Sequence, residues 1–474
     1  MTFNSLQYVG FFVVVWLLYW RLDRTRQNVL LLLASYLFYG LFDWRFLGLL
    51  LLSTAVDYQL GHRVGQEQDQ RRRKWWLWAS VALNLGILAI FKYLDFFFDS
   101  AKDALGAIGL DVSPPLLRIV LPVGISFYTF HGISYVFDVY RGHIKPTRRL
   151  LDYACFVAYF PQLVAGPIGR ATLQLPQFEH DRERPDGATV ERALLLILVG
   201  LFKKVVIADG VASVANTAFA SPATTGWELL VVGGVAFALQ IYGDFSGYSD
   251  IARGSSRLLG IELPVNFTEP YLSRNITEFW RRWHISLSNW LRDYLYVPLG
   301  GNRGSSAATY RNLMIVMLLG GLWHGAAKNF VVWGAGHGLA LGLHRAWVER
   351  RRRRGASALT GPVPDTVARI GTFGVVCLLW IFFRSPTLTG ALEYVEGILR
   401  FRDGPIDSSS VATVLAGVLA VLAIDLVTRW LRGTPTPVLS RVGAVPAGAG
   451  IGVALLAIAV FSGGAPTPFI YFQF

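Results

Sequence analysis

Long apolar runs alternate with short polar segments from one end of the chain to the other. Runs of about 20 apolar residues are long enough to cross roughly 30 Å of hydrocarbon as helices. In lipid such a helix satisfies its own backbone groups, so the pattern predicts an all-α polytopic membrane protein in one domain, residues 1–474. The predicted apolar segments are residues 6–20, 28–42, 46–60, 75–98, 119–139, 151–165, 191–217, 228–246, 309–323, 329–348, 368–383, 411–428 and 446–461.

Clusters of arginine and lysine between these runs set the orientation of the chain. They follow the first, third and fifth runs, and the strongest cluster is Arg350 to Arg354. Cytoplasmic loops of membrane proteins carry the excess of basic residues. The N-terminus and the aromatic tail, residues 462–474, are therefore predicted to lie outside the cytoplasm.

Three segments depart from this alternation. Residues 151–165 are short and contain Pro161, which favours a kinked or re-entrant helix. Residues 251–304 are too polar to span the bilayer and predict amphipathic helices at the interface, in contact with membrane lipids. Lys203 and Lys204 lie inside an apolar run, where two interpretations stay open: side chains that reach lipid headgroups, or a contact with an anionic acyl carrier.

Composition agrees with a membrane protein and narrows the function. Apolar residues are 53% of the 474 and charged residues 16%, against about 25% charged in soluble domains. The net charge of +13 does not indicate a nucleic-acid partner, because the basic residues lie in short clusters beside apolar runs. Cys155 and Cys377 both lie in apolar runs, so we expect no disulfide framework. We also expect no metal site and no bound cofactor.

His324 is the first candidate catalytic residue, because a titratable side chain is costly at the end of an apolar run. Small residues on both sides of it allow either a neighbouring helix or a substrate to approach closely. A histidine within about 3 Å of a bound hydroxyl can take its proton, so we interpret His324 as the base of an acyl transfer. The alternative is a core histidine, a role for which His337 and His344 are the natural candidates. The small residues are Gly320, Gly321, Gly325, Ala326 and Ala327.

The basic, tryptophan-rich segment 279–295 supplies a second candidate, His284. If this segment is one helix, His284 and Ser288 share a face and the arginines lie around the sides. One interpretation is an amphipathic helix on anionic headgroups. In the other, His284 reaches inward to assist His324, and the basic residues meet an anionic thioester donor. The candidate donor-binding residues are Arg281, Arg282, Ser288 and Arg292.

Motifs of other common enzyme classes are not found in the sequence. It lacks the G-x-S-x-G nucleophile elbow, the phosphate-binding G-x-x-x-x-G-K-[ST] loop and the H-E-x-x-H zinc motif. Catalytic triads are defined by geometry rather than by sequence, so Asp244, Asp250 or Asp293 could each orient a histidine.

The chain ends in a dense aromatic stretch, Phe469 to Phe474. Exposed aromatic groups of this density are typical of a docking site, and an interfacial anchor for the last helix is the alternative. A sharper hypothesis is that Tyr471 inserts toward His324 and accepts the acyl group on its hydroxyl.

Six runs of residues together form a recognisable set of motifs. They are LPVGISFYTF at 121–130, LVAGPI at 163–168, GLFKK at 200–204, DFSGYSD at 244–250, ITEFWRRWH at 276–284 and GLWHG at 321–325. The set resembles the membrane-bound O-acyltransferase (MBOAT) family, and most of all its branch of bacterial alginate O-acetyltransferase membrane subunits with their peptidoglycan-acetylating and D-alanyl-transferring relatives. The resemblance covers most of the chain, from about residue 85 to the tail.

The resemblance implies a ring of about 11 transmembrane helices, with re-entrant and interfacial helices, around a central funnel or tunnel. It implies that His324, in the W-H-G motif, is the catalytic histidine and that His284 is the histidine of the family's W-R-R-W-H motif, and it strengthens the hypothesis of Tyr471 as acyl relay. The donor would be acetyl-CoA or another acyl thioester on the cytoplasmic side. An extracytoplasmic partner of the SGNH hydrolase type would complete transfer to a polysaccharide.

The function that follows is O-acetylation of a cell-envelope or secreted polysaccharide by a multi-pass enzyme of the bacterial cytoplasmic membrane, as in alginate biosynthesis. Two alternatives remain. The acceptor could be a lipid, a teichoic acid or a protein, or the intramembrane histidines and lysines could serve a proton-coupled transporter.

Overall fold

The computed structural model describes residues 1–110, 120–164, 166–355, 361–431, 441–463 and 469–470. Every regular element in these ranges is a helix, so the predicted all-α class is confirmed. Within them, six helical stretches are long and apolar enough to cross a membrane, as expected of a multi-pass protein. A ring of about 11 spans around a funnel stays a prediction. The six stretches are Arg24–Gln66, Gln70–Gly106, Trp227–Leu258, Pro362–Arg384, Ser408–Trp430 and Ala444–Phe461.

Helices in the first part of the chain follow the predicted apolar runs closely. Asp23 and Asp69 accept hydrogen bonds from the first turns of the second and fourth helices, so acidic caps begin both. The helices are α1 (Leu6–Tyr19), α2 (Arg24–Asp43), α3 (Leu47–Gln66), α4 (Gln70–Leu88), α5 (Leu94–Gly106), α6 (Ile125–Tyr140), α7 (Leu150–Ala158), α8 (Phe160–Leu163), α9 (Ala171–Gln174) and α10 (Pro176–Glu179). A 3₁₀ turn, Trp44–Phe46, precedes α3, and a π-helical turn, Ala89–Tyr93, joins α4 to α5.

The rest of the chain contains longer helices and several short ones. They are α11 (Gly187–Phe202), α12 (Asp209–Ala220), α13 (Trp227–Leu258), α14 (Ile276–Arg282), α15 (Ile285–Leu291), α16 (Ser306–His324), α17 (Lys328–Arg353), α18 (Pro362–Arg384), α19 (Leu388–Leu399), α20 (Ser408–Leu431) and α21 (Ala444–Phe461). Short 3₁₀ and π-helical turns lie at Lys203–Ala208, Pro270–Leu272 and Arg292–Tyr296.

The chain divides into two compact units. One comprises Met1–Ala193 with Ala252–Pro264, and the other comprises Leu194–Ile251 with Val265–Phe474. The first unit contains a buried polar cluster. Asp57 of α3 accepts hydrogen bonds from Ser80 (2.7 Å) and Asn84 (2.8 Å) of α4. Gly132 of α6 faces this cluster, and a Cβ there would overlap the Asp57 carboxylate.

Two segments show where the helices follow the predicted boundaries and where they depart from them. The predicted break near Pro161 occurs between Ala158 and Phe160, because proline cannot continue the preceding helical hydrogen bonds. The predicted interfacial region begins at residue 251, whereas α13 continues to Leu258 and its last residues are mostly buried. Residues 251–258 are therefore part of a packed helix.

The second unit has an aromatic core, in which Trp283, Trp333 and Trp380 are each 1% exposed. It contains both candidate histidines, the described residues of the tail and the helices α14 to α21. All the geometry of the candidate site below lies within this unit.

Candidate active site

His324 is the last residue of α16, and three small residues connect it to α17. The glycines around it let these two helices touch along their backbones. A Cβ on Gly321 would overlap the carbonyl oxygen of Phe330, and one on Gly325 would overlap the Phe330 ring. Of the two roles left open for the small residues, close helix packing is the one observed. The imidazole is thereby held at the end of a rigid helical hairpin.

Aromatic rings surround His324. Its ring centroid lies 4.8 Å from Trp323, 5.1 Å from Trp333 and 5.2 Å from Phe383. The residue is 5% exposed. These neighbours fix the plane of the imidazole and exclude water from most of its surface.

His284 occupies a break in the segment that was predicted as one helix over residues 279–295. Helix α14 ends at Arg282 and α15 begins at Ile285. His284 between them has φ 42° and ψ 53°, the left-handed region that costs a residue with a Cβ about 1–2 kcal/mol. The prediction of a continuous helix is wrong here, and the shared face of His284 and Ser288 that it implied is lost.

Asn266 holds this break in place. Its backbone carbonyl accepts a hydrogen bond from the Ile285 N–H at 2.9 Å. Its side-chain oxygen accepts from the Ser286 backbone N–H at 3.3 Å and from the Ser286 hydroxyl at 2.8 Å. Its amide nitrogen donates to Ser249 at 3.2 Å. One buried residue therefore compensates the strained conformation at His284.

The same asparagine sets the tautomer of His284. The Nδ1 atom lies 3.1 Å from Asn266 Oδ1. Because a backbone N–H also donates to Oδ1, that atom must be the oxygen, and Nδ1 must carry the proton. In the neutral ring Nε2 then carries a lone pair. Nε2 is buried and has no hydrogen-bond partner among the described residues.

Burial also keeps the His284 ring neutral. The residue is 0% exposed, and this desolvation lowers its pKa to about 3. His284 lies outside the six candidate spans. At neutral pH it is therefore an uncharged imidazole whose Nε2 can accept a proton or a hydrogen bond.

The fold brings the two candidate histidines together. They are 40 positions apart in the sequence, yet their ring centroids lie 6.5 Å apart. Trp323 lies against both rings, 6.0 Å from His284 and 4.8 Å from His324. Phe245 of α13 packs against His284, with the two ring centroids 4.7 Å apart.

The four candidate donor-binding residues do not share a common set of contacts, unlike the two histidines. Arg282 is paired with Glu278 at 2.6 Å, and the exposed Arg292 is paired with its neighbour Asp293 at 2.7 Å. Ser288 donates to the Trp283 carbonyl at 3.3 Å. Arg281 is exposed. Arg281 and Arg292 are thus both exposed, and within the described part of the chain Arg292 is the one of these two that is paired with a carboxylate.

Tyr471, the candidate acyl relay, lies outside the described residues. The two residues before it are described, and both are buried: Phe469 is 4% and Ile470 2% exposed. Phe469 packs on Tyr248 with ring centroids 4.6 Å apart. The Ile470 N–H donates to Asp244 Oδ2 at 2.6 Å. These contacts tie the tail to α13, the helix that also carries Phe245.

Lys203 and Lys204 form internal ion pairs, so the interpretation that they reach lipid headgroups is wrong. Each is 7% exposed. Lys203 pairs with Asp250 at 2.8 Å, and Lys204 pairs with Asp209 and Asp244, both at 2.9 Å. Gly200 and Gly247 let α11 approach α13 closely, because a Cβ on either would press on the other's carbonyl oxygen. The lysines thereby reach the acids on α13.

The carboxylates considered as partners for a histidine have other roles. Asp244 and Asp250 pair with lysines and Asp293 with Arg292, while an amide, Asn266, orients His284. Sequence reasoning missed Asn266 and Phe245, since neither belongs to a recognised motif of charged residues. Over the described ranges, no group of three or more His, Cys, Asp or Glu side chains is arranged to hold a metal ion.

Comparison with known proteins identifies the family. The model of the membrane-bound O-acyltransferase family matches residues 142–359, a range that includes both histidines. A probable alginate O-acetylase, AlgI, of Pseudomonas aeruginosa is 42% identical over 404 residues, covering 85% of this chain and 75% of that protein.

Two further relatives extend this similarity. The probable alginate O-acetylase AlgI of Pseudomonas putida is 38% identical over an alignment of 501 positions that covers 100% of both chains. A peptidoglycan O-acetyltransferase of Helicobacter pylori is 35% identical over 428 residues, covering 84% of this chain and 79% of that protein. Similarity of this extent, together with the helical membrane-spanning architecture, shows that the chain belongs to the membrane-bound O-acyltransferase family.

Proposed function

We propose that this O-acyltransferase moves an acetyl group from a cytoplasmic thioester, acetyl-CoA or another acyl carrier, across the bacterial cytoplasmic membrane for O-acetylation of a polysaccharide. The names of its relatives support this substrate class, since they are described as acting on alginate and on peptidoglycan. The acceptor is a cell-envelope or secreted polymer.

One observation carries the proposal: the His284 and His324 rings lie 6.5 Å apart, and the tail is tied to the helix that packs against His284. Two imidazoles at this spacing can act on one hydroxyl and one carbonyl group between or beside them. The tail supplies a hydroxyl in the next residue, Tyr471.

His324 is the general base in this mechanism. It takes the proton from the acceptor hydroxyl, and the oxygen attacks the thioester carbonyl carbon. The tetrahedral intermediate collapses, the carbon–sulfur bond breaks, and the thiolate receives the proton from the imidazolium. The products are a free thiol and an oxygen ester. A positioned general base contributes about 10²- to 10⁴-fold to the rate.

His284 assists through its Nε2 lone pair. Its neutral ring lies beside His324, and Nε2 accepts a hydrogen bond from the His324 imidazolium that forms when the hydroxyl gives up its proton, which stabilises that charge. The aromatic neighbours of both histidines keep water away from the thioester and so suppress its hydrolysis.

Tyr471 is the acyl relay in this proposal. Its phenolic oxygen receives the acetyl group from the donor and forms an acetyl-tyrosine ester. An extracytoplasmic SGNH-type partner then takes the acetyl group to its own hydroxyl or to the polysaccharide, and the tyrosine hydroxyl is restored. Arg281 is the first of the candidate arginines to test for donor binding, because Arg282 and Arg292 are already paired with carboxylates.

The experiment is to incubate membranes containing the protein with acetyl-CoA labelled in the acetyl group and to follow the label. Wild-type protein is expected to carry label on Tyr471, detectable by peptide mass spectrometry, and to pass it on when the polymer and partner are present. His324→Gln should lower labelling at least 100-fold, within the range for loss of a general base. His344→Gln is the matched control, since His344 bonds Thr277 instead.

Other outcomes would redirect the proposal. Equal labelling of wild type and His324→Gln would exclude His324 as the base. Label that is retained by lipid, teichoic acid or another protein would change the acceptor. Transport of a solute without any transfer of label would replace the enzyme by a transporter.

A further inference from the structure

We propose that Asp244 is a positioning residue: its buried carboxylate, held by Lys204, is the docking point that fixes the C-terminal tail beside the catalytic histidines. The catalytic consequence rests on the function proposed above. The docking itself is a separate property that is measured without any acyl transfer.

The two carboxylate oxygens of Asp244 contact different partners. Oδ1 lies 2.9 Å from Lys204 Nζ, and Oδ2 accepts the hydrogen bond from the Ile470 N–H at 2.6 Å. Lys204 is in turn 2.9 Å from Asp209 Oδ1. A buried carboxylate is costly unless charges and hydrogen bonds compensate it. The lysine supplies the charge, and the tail supplies a hydrogen bond to the other oxygen.

Apolar contacts accompany this polar one. The Phe469 ring lies 4.6 Å from Tyr248 and 6.1 Å from Phe245. Phe469 and Ile470, the two described residues of the tail, are both almost fully buried. The backbone of the tail is therefore recognised by a carboxylate at Ile470, while the Phe469 side chain is recognised by aromatic rings on the same helix.

The docking point adjoins the catalytic pair. Phe245 follows Asp244 in α13, and its ring lies 4.7 Å from His284. If Tyr471 is the relay proposed above, a tail that is held at Ile470 presents its hydroxyl to the histidines at a higher effective concentration than a released tail does.

The neighbouring ion pair offers a matched control. Lys203 and Asp250 are 2.8 Å apart, and Asp250 lies on the same helix six residues beyond Asp244. Asp244→Asn replaces one acceptor oxygen by an N–H₂ donor, so a donor must face either Lys204 or the Ile470 N–H. Asp250→Asn makes the same chemical change in the other pair.

The first test measures docking in the purified full-length chain with carboxypeptidase Y, followed by intact-protein mass spectrometry. Wild type and Asp250→Asn should resist removal of residues 469–470. Asp244→Asn should lose them at least about tenfold faster, since hydrogen bonds to charged groups are worth at least that factor. Ile470→Pro removes the donor from the tail and should give the same result without a change in α13.

The second test measures catalysis. Asp244→Asn and Ile470→Pro should lower kcat about tenfold and leave KM for acetyl-CoA within about twofold, because the donor does not use this contact. A chain ending at residue 468 should be insensitive to Asp244→Asn in its residual thioester turnover.

The results test two statements separately: that Asp244 docks the tail, and that Tyr471 is the acyl relay. Equal trimming of wild type, Asp244→Asn and Ile470→Pro would overturn the docking proposal, whatever the activity. A strong effect on trimming with no acetylation of Tyr471 in wild type would leave the docking intact and exclude the relay proposed above. A raised KM with unchanged kcat would show that Asp244 acts on the donor instead of the tail.

Discussion

Two histidines of one compact unit, His284 and His337, are both 0% exposed, and each has one polar partner at Nδ1. The partners differ in kind. Asn266 accepts from His284, whereas the indole N–H of Trp280 donates to His337 at 3.2 Å. The neutral rings are therefore opposite tautomers, with a lone pair on Nε2 of His284 and a proton on Nε2 of His337.

This difference separates a histidine that assists His324 in the proposed mechanism from a histidine that only packs. His337 is also surrounded by aromatic rings, with Phe279 at 6.1 Å and Trp333 at 4.7 Å. Burial and aromatic contact thus describe both residues equally well. What distinguishes them is the chemistry of one neighbour, and four predictions test that distinction.

The largest effect is expected from removing the imidazole of His284. His284→Asn should lower the rate of acetyl transfer about 100-fold or more, because the Nε2 lone pair is lost. Asparagine tolerates the left-handed backbone better than most residues, so the fold should survive. His337→Asn is the comparison and should change the rate less than about fivefold in the same assay. Similar losses in both variants would contradict the contrast between the two tautomers.

The next effect comes from the residue that sets the tautomer. Asn266→Ala should reduce acetyl transfer about 10- to 100-fold, the usual cost of losing a group that orients a functional histidine. Asn266→Asp keeps an acceptor for Nδ1–H and should retain more activity than the alanine variant. A rate that depends only on the volume of residue 266 would argue for simple packing. Rates are measured as initial velocities with labelled acetyl-CoA.

The pH dependence of stability gives a third test. Burial depresses the pKa of His284 to about 3, whereas an unfolded histidine titrates near 6.5. The unfolded chain thus binds more protons in this interval. The stabilising contribution is present above pH 6.5 and declines as the pH falls toward 3, by up to about 1.4 kcal/mol per pH unit.

His284→Asn should remove that slope. Thermal unfolding in detergent at pH 7, 6 and 5 should show a steeper loss for wild type than for the variant. Equal slopes would mean that His284 is not held neutral in the folded protein. Other buried histidines are common to both chains and cancel in the difference.

The smallest effect is expected at Trp280. Trp280→Phe removes the indole donor to His337 Nδ1 and should destabilise the protein by about 1 kcal/mol. Acetyl transfer should stay within about twofold of wild type. A loss of activity as large as that of Asn266→Ala would place His337 in the reaction. Thermal unfolding and initial rates on the same preparation give both numbers.

The sequence predicts the long helices well because a membrane span needs a run of apolar residues that is visible without any tertiary information. It predicts His324 and His284 as candidates for a similar reason, since titratable residues beside apolar runs are rare. It does not predict the break at His284, where no glycine or proline marks the left-handed residue. That conformation depends on Asn266, which is 18 positions away and reads as an ordinary polar residue.

Lys203 and Lys204 illustrate the same limit. Their charge is evident from the sequence, but their partners Asp244 and Asp250 lie on another helix and are brought near by the close contact of Gly200 and Gly247. Helix α19 was also missed, because residues 388–399 are amphipathic and too short for a span. The lysine pairs depend on contacts between segments, which periodicity along the chain cannot report, whereas α19 was missed because the search was for runs long enough to span a membrane.

The carboxyl group of Asp57 in α3 has a consequence for how the protein is made. Its partners, Ser80 and Asn84, belong to α4, so α3 on its own would present a bare acid to hydrocarbon. The two helices should therefore leave the translocon as a hairpin. Halting synthesis between residues 66 and 70 should leave α3 poorly inserted, and replacing Asp57 by leucine should restore insertion of the lone segment.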